Sequence, residues 1–203
     1  MTPLLARLSV AFGCVALAAV PVHAELLTNP GFEDTDTDGN QGDGWGSFGS
    51  AGFNAFFGPN GHASLFMDNP GNFGGVFQTG IAADPALTYT FDLNDVRIEA
   101  NAAANARFGL EYYEADDATK LGEDIVPIPL SPTGDGLSFS MSATPVAGTA
   151  IVRPIILFDN VTSTANGQEN LFVFDASLTA IPEPTSVALI GLAGIGLAAR
   201  VRC

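Results

Sequence analysis

Apolar and polar residues alternate in several short stretches of the central part of the chain. In Leu87–Leu93 (LTYTFDL) every second residue is apolar, and Leu137–Ser142 (LSFSMS) repeats the pattern. Because successive side chains of an extended chain point to opposite faces, each stretch predicts a half-buried β-strand. Alternating or short apolar stretches predict the following strands: Ser64–Met67, Gly75–Thr79, Leu87–Ile98, Ala106–Tyr113, Asp124–Leu130, Leu137–Met141, Ala150–Phe158 and Leu171–Thr179.

Segments rich in Gly, Pro, Asn and Asp separate these stretches and predict turns. They are Asn69–Asn72, Asp84-Pro85, Ser131–Gly136 and Asn166-Gly167. The Ala/Asn-rich segment Asn101–Ala106 is too short for a stable helix, so a loop is expected there. Many short strands at this spacing favour an all-β, antiparallel sandwich between Glu25 and Ala180.

The first 24 residues have the organisation of a secretory signal peptide. Arg7 is followed by an apolar run of 13 residues, Leu8–Val20, and Val22-His23-Ala24 provides a cleavage site for signal peptidase. A permanent membrane anchor is the weaker alternative, because a spanning helix needs about 20 apolar residues. The expected signal helix is therefore removed, and the mature chain begins at Glu25.

The C-terminal segment 181–203 has three parts in a fixed order. A Pro-Glu-Pro segment, Pro182–Pro184, precedes the apolar run Val187–Ala199, and the basic residues Arg200 and Arg202 follow. The apolar run predicts a short transmembrane helix, and the terminal arginines set its orientation. A plain tail anchor is the alternative, but it leaves the Pro-Glu-Pro segment without a role.

This order of segments resembles the PEP-CTERM sorting signal of Gram-negative bacteria. The resemblance implies that an exosortase recognises Pro182, Glu183 and Pro184 and removes the helix, so that membrane anchoring is transient. It also implies export to the cell surface or to the extracellular matrix of a biofilm. The basic tail of this chain, with only Arg200 and Arg202, is shorter than the usual basic cluster of such signals.

Charge and cysteine content narrow the possible partners. The chain of 203 residues has 22 acidic and seven basic residues, a net charge of −15, which argues against binding nucleic acid or an anionic membrane. The segment between Glu25 and Glu183 contains four of the basic residues and all of the acidic ones, so its formal charge is −18. Cys14 and Cys203 both lie in the segments expected to be removed, so the mature domain has no disulfide.

The central segment resembles carbohydrate-binding modules with the galactose-binding-like jelly-roll fold. The resemblance rests on these segments, in this order: Leu26–Glu33 (LLTNPGFE), Gly44-Trp45, Gly75–Thr79 (GVFQT), Leu87–Phe91 (LTYTF) and Leu171–Thr179 (LFVFDASLT). It implies one jelly-roll domain at 25–180, and it makes a glycan or exopolysaccharide the expected ligand.

The same resemblance implies a structural calcium ion bound by Glu33 and Asp175. Carboxylate and carbonyl oxygens are the ligands that calcium prefers, and a metal would compensate for the missing disulfides. The alternative is that both carboxylates accept hydrogen bonds from turns. A second acidic segment, Asp34–Asn40, begins like an EF-hand loop, but its twelfth position is Trp45 instead of Glu, so it predicts only an acidic surface loop.

Aromatic and amide side chains are candidates for binding sugar, because rings stack on sugar faces and amides bond hydroxyl groups. The predicted ligand-binding residues are Trp45, Gln78, Tyr89 and Tyr112. Only one of Tyr112 and Tyr113 can join a given face, since neighbours in a strand point in opposite directions. The alternative is that Trp45 and Tyr89 are core residues. A further aromatic group, Phe53, Phe56 and Phe57, lies in a Gly-rich segment.

Catalysis is not expected. His62 is the only histidine after the signal peptide, and the chain has no G-x-S-x-G, H-E-x-x-H, Walker or dinucleotide motif. Paired carboxylates such as Glu111/Glu114 are frequent in so acidic a chain and do not discriminate. The expected function is therefore non-catalytic glycan binding. The alternatives are an acidic matrix protein cross-linked by divalent cations and, third, a small glycan-acting enzyme.

Overall fold

The computed structural model describes residues 24–34, 41–55, 61–99, 103–130, 134–163 and 170–182. These residues form β-strands, turns and loops, with no helix among them. A search of this part of the chain for helices long and apolar enough to cross a membrane found none. The predicted signal helix and the predicted C-terminal transmembrane helix lie in 1–23 and 183–203, outside the described residues.

Eleven strands are present in the described residues. In chain order they are β1 (Gly46–Gly49), β2 (Ala51–Asn54), β3 (His62–Phe66), β4 (Gly74–Phe77), β5 (Ile81–Ala82), β6 (Leu87–Ile98), β7 (Ala103–Tyr113), β8 (Lys120–Ile128), β9 (Gly134–Ala143), β10 (Ile151–Ser163) and β11 (Asn170–Pro182). All strand pairs are antiparallel. One sheet has the order β1-β4-β10-β7-β8, with β5 also paired to β10, and the other has the order β2-β3-β11-β6-β9.

The two sheets pack face to face into a β-sandwich. The ring of Phe91 in β6 lies 5.8 Å from that of Phe108 in β7, and Phe108 lies 6.4 Å from Phe139 in β9, so aromatic rings from both sheets meet in the core. Burial of these large side chains is the main stabilising contribution to such a fold. The chain passes repeatedly between the sheets, as expected for a jelly roll.

Each of the eight predicted strands is present, and the prediction of an all-β antiparallel sandwich is confirmed. Three short strands were not predicted: β1 and β2 are rich in glycine and small residues, and β5 has two residues. The expectation of a loop at Asn101–Ala106 was wrong for its last four residues, because Ala103–Ala106 begin β7. Pairing with β10 extends this strand, and the side-chain amide of Asn105 donates a hydrogen bond to Asp159 (3.1 Å).

Candidate functional site

The four residues predicted to bind glycan are buried. Trp45 is 8% exposed, Gln78 3%, Tyr89 1% and Tyr112 is fully buried. A side chain without an accessible face cannot stack on a sugar or bond to its hydroxyl groups. This burial contradicts the prediction of a sugar platform at these positions and confirms the alternative that Trp45 and Tyr89 belong to the core.

Trp45 holds the N-terminal segment in place. Its indole N–H donates to the backbone oxygen of Asn29 (3.0 Å), and its ring packs 4.8 Å from that of the fully buried Phe32. The side chain of Asn29 bonds the backbone of Glu33 on both sides, accepting from its N–H (2.9 Å) and donating to its C=O (2.7 Å). The Thr-Asn-Pro-Gly-Phe-Glu and Gly-Trp segments therefore form a structural turn.

Gln78 attaches the same segment to the sheet. Its side-chain oxygen accepts from the backbone N–H of Thr28 (2.8 Å), and its side-chain nitrogen donates to the backbone oxygen of Thr28 (2.6 Å). A side-chain amide here replaces a neighbouring strand, because one residue supplies both the acceptor and the donor that Thr28 needs.

Tyr89 and Tyr112 have buried rings and bonded hydroxyl groups. The Tyr89 hydroxyl accepts from the backbone N–H of Asp84 (2.8 Å), and the Tyr112 hydroxyl donates to the carboxylate of Asp124 (2.7 Å). Burial raises the pKa of both tyrosines, and for Tyr112 the bond to Asp124 raises it further. Both side chains remain neutral and serve the core.

The segments that contain the predicted calcium ligands are neighbours. The backbone N–H of Ala176 donates to the carbonyl of Pro30 (3.0 Å), so the segment before Glu33 runs beside that of Asp175. Asp175 is half-buried and accepts a hydrogen bond from the side-chain amide of Asn94 (3.3 Å), whereas Glu33 is exposed. The described residues contain no group of three or more Asp, Glu, His or Cys side chains able to hold a metal. Within the described part of the chain, any further ligands would have to be backbone or amide oxygens.

Negative charge surrounds Asp175. Burial raises the pKa of this carboxyl group, and the charges of Glu25 and Asp95 raise it as well, against the opposing effect of the Asn94 hydrogen bond. A cation would relieve this repulsion. The predicted EF-hand-like segment falls mostly at 35–40, outside the described residues.

His62 is inaccessible. It is fully buried and packs against Phe172 and Phe174, with ring centroids 5.4 and 5.0 Å away. Burial lowers its pKa, so the neutral form is favoured. Phe53 is half-buried and stacks on Phe32 at 6.0 Å, while Phe56 and Phe57 lie outside the described residues.

A different set of side chains forms a network of hydrogen bonds and ion pairs on the outer face of the six-stranded sheet. The chain alternates in β7, so that Phe108, Leu110 and Tyr112 face the core while Glu111 and Tyr113 face outward. Side chains from β8, β10 and the β7–β8 turn join the outward pair. We call these residues the Arg153 cluster: Glu111, Tyr113, Asp117, Lys120, Glu123 and Arg153.

The members of the Arg153 cluster bond to one another. Lys120 Nζ lies 2.6 Å from the Glu111 carboxylate and 2.5 Å from that of Glu123. The Tyr113 hydroxyl donates to Glu111 (3.0 Å) and accepts from Arg153 (2.9 Å). Because each group is held by at least one partner, the side chains of the cluster are fixed in one arrangement.

Arg153 also supports the β7–β8 turn. Its guanidinium donates to the backbone oxygen of Asp117 (3.2 Å) and to its carboxylate (2.9 Å). Asp117 has a positive φ of 53°, a conformation that is unfavourable for a residue with a Cβ. The bonds from Arg153 stabilise this conformation and thereby place the turn beside the cluster.

Aromatic rings extend the cluster across the sheet. The Arg153 guanidinium lies 3.9 Å from the ring centroid of Tyr113 and 5.4 Å from that of Phe77, and Phe77 lies 6.2 Å from Phe48. These residues belong to the neighbouring strands β7, β10, β4 and β1. They form a diagonal row across the four strands, displaced by two residues at each step, which we call the aromatic row.

Two glycines allow the row to form. Phe77 pairs with Gly46, and Phe48 pairs with Gly75, so each ring lies over a glycine of the adjacent strand. A Cβ placed on Gly46 would be 2.7 Å from the Phe77 ring, and one on Gly75 would be 2.8 Å from the Phe48 ring. Any side chain at these positions would displace a ring of the row.

Burial and pairing change the pKa values of two members of the cluster. Burial raises the pKa of Tyr113, and the Glu111 carboxylate raises it further. For Lys120, burial acts to lower the pKa, but the hydrogen bonds to Glu111 and Glu123 outweigh it and the pKa is raised. At neutral pH the tyrosine is therefore neutral and the lysine charged.

Comparisons with known proteins found matches to the C-terminal segment and to the central β-sandwich. Residues 180–202 match the PEP-CTERM protein-sorting motif, so the chain carries this signal for export and sorting to the cell surface. A search of curated protein sequences found no match. The class of protein is thus a β-sandwich protein with a C-terminal sorting motif.

Solved structures share the sandwich fold at low sequence identity. A cyclase from Fischerella sp. TAU is 13% identical, covers 79% of this chain and 98% of its own, and has a TM-score of 0.57. The CBM22-1–GH10 modules of Clostridium thermocellum xylanase 10B, complexed with xylohexaose, are 10% identical and cover 78% of this chain but only 29% of their own, with a TM-score of 0.51. The carbohydrate-binding module TmCBM61, in complex with β-1,4-galactotriose, is 12% identical, covers 79% and 99%, and has a TM-score of 0.49.

Proposed function

We propose that this is an exported, non-catalytic protein of the bacterial cell surface or extracellular matrix that binds a glycan with the outer face of its six-stranded sheet. The observation that carries the proposal is the aromatic row joined to the Arg153 cluster. The exposed Phe48 and the half-buried Phe77 supply stacking surfaces for sugar, whereas Tyr113, only 7% exposed, supports the Arg153 guanidinium. Fixed charged groups bond to hydroxyl groups. The structural neighbour that was solved in complex with xylohexaose supports a glycan as the class of ligand.

Affinity electrophoresis through gels that contain single polysaccharides tests this proposal. One or more polysaccharides should retard the protein, and Phe77→Ala should weaken the retardation by about tenfold, as expected for loss of a central aromatic contact. Phe66→Ala is the matched control, since Phe66 is an exposed phenylalanine of β3 in the other sheet. Equal effects of the two variants, or no retardation by any polysaccharide, would contradict the proposal.

The absence of catalysis is part of the proposal. His62 is buried, and the Glu111 carboxylate accepts from both Tyr113 and Lys120, which leaves it poorly placed to transfer a proton. Incubation with a retained polysaccharide should release no new reducing ends. Release that Glu111→Gln abolishes would instead establish a glycan-acting enzyme.

Processing follows from the sorting motif. An exosortase recognises Pro182–Pro184, and signal peptidase cleaves after Ala24. Mass spectrometry of the protein recovered from its producing cells, a Gram-negative bacterium, should find a chain that starts at Glu25 and lacks the apolar segment Val187–Ala199. An intact terminus at either end would contradict the corresponding cleavage.

A structural calcium ion at Glu33 and Asp175 completes the proposal. The negative charge around Asp175 and the backbone bond between Pro30 and Ala176 support it. Chelation should lower the melting temperature, and added calcium should restore it. Asp175→Asn should abolish this response, whereas Asp135→Asn, an exposed site in β9, should retain it. Identical melting with and without chelator would exclude the ion.

The acidic surface favours one other function, a matrix protein cross-linked by divalent cations. Its support is the charge of −18 between Glu25 and Glu183. Calcium-dependent association without polysaccharide, measured by light scattering, would favour this function. Polysaccharide binding that persists in chelator would favour glycan recognition.

A further inference from the structure

Carboxylates outnumber cations on the proposed glycan-binding face. The cluster and the adjacent pair Arg107–Asp159 contribute four acidic side chains and three basic ones to this face. The acidic residues are Glu111, Asp117, Glu123 and Asp159, and the basic residues are Arg107, Lys120 and Arg153. The face thus has a small negative excess within a strongly negative domain.

Each cation of this face already has a carboxylate partner. Lys120 contacts two carboxylates, at 2.6 and 2.5 Å, Arg153 contacts Asp117 at 2.9 Å, and Arg107 is paired with Asp159. The remaining basic residue between Glu25 and Pro182, Arg97, is in the other sheet and is paired with Glu99 (2.9 Å). An anionic ligand would therefore have to compete with the protein's own carboxylates for every cation.

The hydrogen-bonding capacity of the carboxylates also disfavours an anionic ligand. Ionised carboxylates only accept hydrogen bonds, whereas a sugar hydroxyl both donates and accepts. A neutral sugar can donate to the free lone pairs of Glu123, whose side chain is 48% exposed, and of Asp117, which is 29% exposed. A uronate or sulfate group has no proton to donate and adds like-charge repulsion.

We infer that this face selects neutral glycans and rejects polyanionic ones, an inference that rests on the proposed glycan-binding function. Selectivity of this kind arises from a repulsive contribution against the wrong ligand as well as from contacts with the right one. The excess carboxylates supply the repulsion, and the aromatic row supplies contacts common to both ligands.

A pair of ligands that differ only in charge tests the inference. Neutral β-1,4-glucan and β-1,4-galactan are each compared with the same polymer after oxidation of its C6 hydroxyl groups to carboxylates. The full-length gene is expressed, and the exported protein is analysed in affinity gels without added divalent cations. Binding to the oxidised form should be weaker on the order of tenfold at low salt, and the difference should shrink as salt screens the charges.

Two charge variants identify the face responsible. Glu123→Gln removes one carboxylate from the cluster and should reduce the discrimination. Asp135→Asn makes the same change of net charge on the opposite sheet, where Asp135 pairs with Arg97 (3.2 Å), and should leave the discrimination unchanged.

The possible results distinguish a failure of the inferred selectivity from a failure of the proposed glycan-binding function. Equal or tighter binding of the oxidised polymer would overturn the inference and leave glycan binding intact. Equal effects of Glu123→Gln and Asp135→Asn would also overturn it, because the selectivity would then come from net charge alone. Retardation by neither form would overturn the glycan-binding function and the inference together.

Discussion

The two outer faces of the sandwich differ in how their side chains are held. On the five-stranded sheet, β6 and β9 present small hydroxyl pairs, Thr88 with Thr144 (3.0 Å) and Thr90 with Ser142 (2.8 Å). On the six-stranded sheet, long side chains of the Arg153 cluster are fixed by ion pairs and by contact with rings. Fixing Lys, Arg and Glu side chains costs about 1.5–2 kcal/mol each in conformational entropy.

This difference distinguishes the surface side chains that the fold requires from those that it does not require. A solvated sheet face needs only small polar residues and β-branched residues, and Thr88, Thr90 and Ser142 of β6 and β9 are of this kind. The long side chain of Arg97 in β6 takes part in solvated ion pairs. The opposite face uses costly side chains in a rigid arrangement and places glycines under Phe77 and Phe48. This arrangement supports the proposed binding surface, because a solvated sheet face does not require it.

The largest expected difference between the faces concerns their arginines. Arg153→Ala should lower the free energy of unfolding by about 2–3 kcal/mol, because its side chain is only 17% exposed and it bonds to Asp117 and Tyr113. Arg97→Ala should lower it by less than about 1 kcal/mol, because its two ion pairs are solvated. Urea unfolding measures both, and equal losses would remove the distinction.

Alkaline pH should act next most strongly. Most of its effect should come from the six-stranded sheet, which contributes Tyr112, Tyr113 and Lys120, whereas the five-stranded sheet contributes Tyr89, whose pKa burial also raises. Tyr112 and Tyr113 have pKa values raised by burial, so the unfolded chain releases their protons above about pH 10 while the folded chain retains them. The raised pKa of Lys120 acts in the same direction, since its contribution is complete below the unfolded pKa and is lost as pH rises through the folded one. As the pH rises above about 10, each of these groups should lower the free energy of unfolding by up to about 1.4 kcal/mol per pH unit.

Unfolding measured at pH 8 and at pH 10.5 checks this expectation. Tyr113→Phe should reduce the loss between the two values, whereas Thr88→Val, which removes a hydroxyl that does not titrate, should leave it unchanged. A stability that is constant up to pH 11 would show that the tyrosines and Lys120 titrate alike in the folded and unfolded chains.

Removal of one hydroxyl from the cluster should have a moderate effect. Tyr113→Phe retains the ring under Arg153 but leaves Glu111 without one of its donors, so a loss of about 1 kcal/mol is expected. Thermal unfolding measures it. An unchanged melting temperature would mean that Lys120 alone satisfies Glu111.

The smallest effect on stability is expected on the outer face of the five-stranded sheet. Thr90→Ala removes an exposed hydroxyl pair with Ser142 and should change stability by no more than about 0.5 kcal/mol, with no effect on glycan binding. A larger loss, or weaker retardation in polysaccharide gels, would show that this face is also built for a function.

Alternation and short apolar runs were sufficient to predict the long strands, because strands such as β6 and β7 bury one face. It did not predict β1 and β2, since Gly46, Gly49 and Gly52 interrupt any hydrophobic period. In those strands the rings of Phe48 and Phe53 are placed by neighbours from distant parts of the chain, Phe77 and Phe32.

The same pattern contained the information that Tyr112 belongs to the core. Phe108, Leu110 and Tyr112 occupy every second position of β7, whereas Glu111 and Tyr113 fall on the opposite face. Choosing site residues by aromatic type gave Tyr112, and periodicity gives Tyr113. A scarce residue type was a second signal, because three of the four basic residues between Glu25 and Glu183 lie on the six-stranded face.

The sequence by itself determined the strand-forming segments, the acidic charge and the sorting motif at 180–202, because each depends on residues close together in the chain. Only the tertiary structure decided which rings are buried and which meet Arg153. Phe77, Tyr113 and Arg153 are far apart in sequence and become neighbours through the pairing of β10 with β4 and β7. Such pairing between distant strands is set by the packing of the whole sandwich, and no local pattern specifies it.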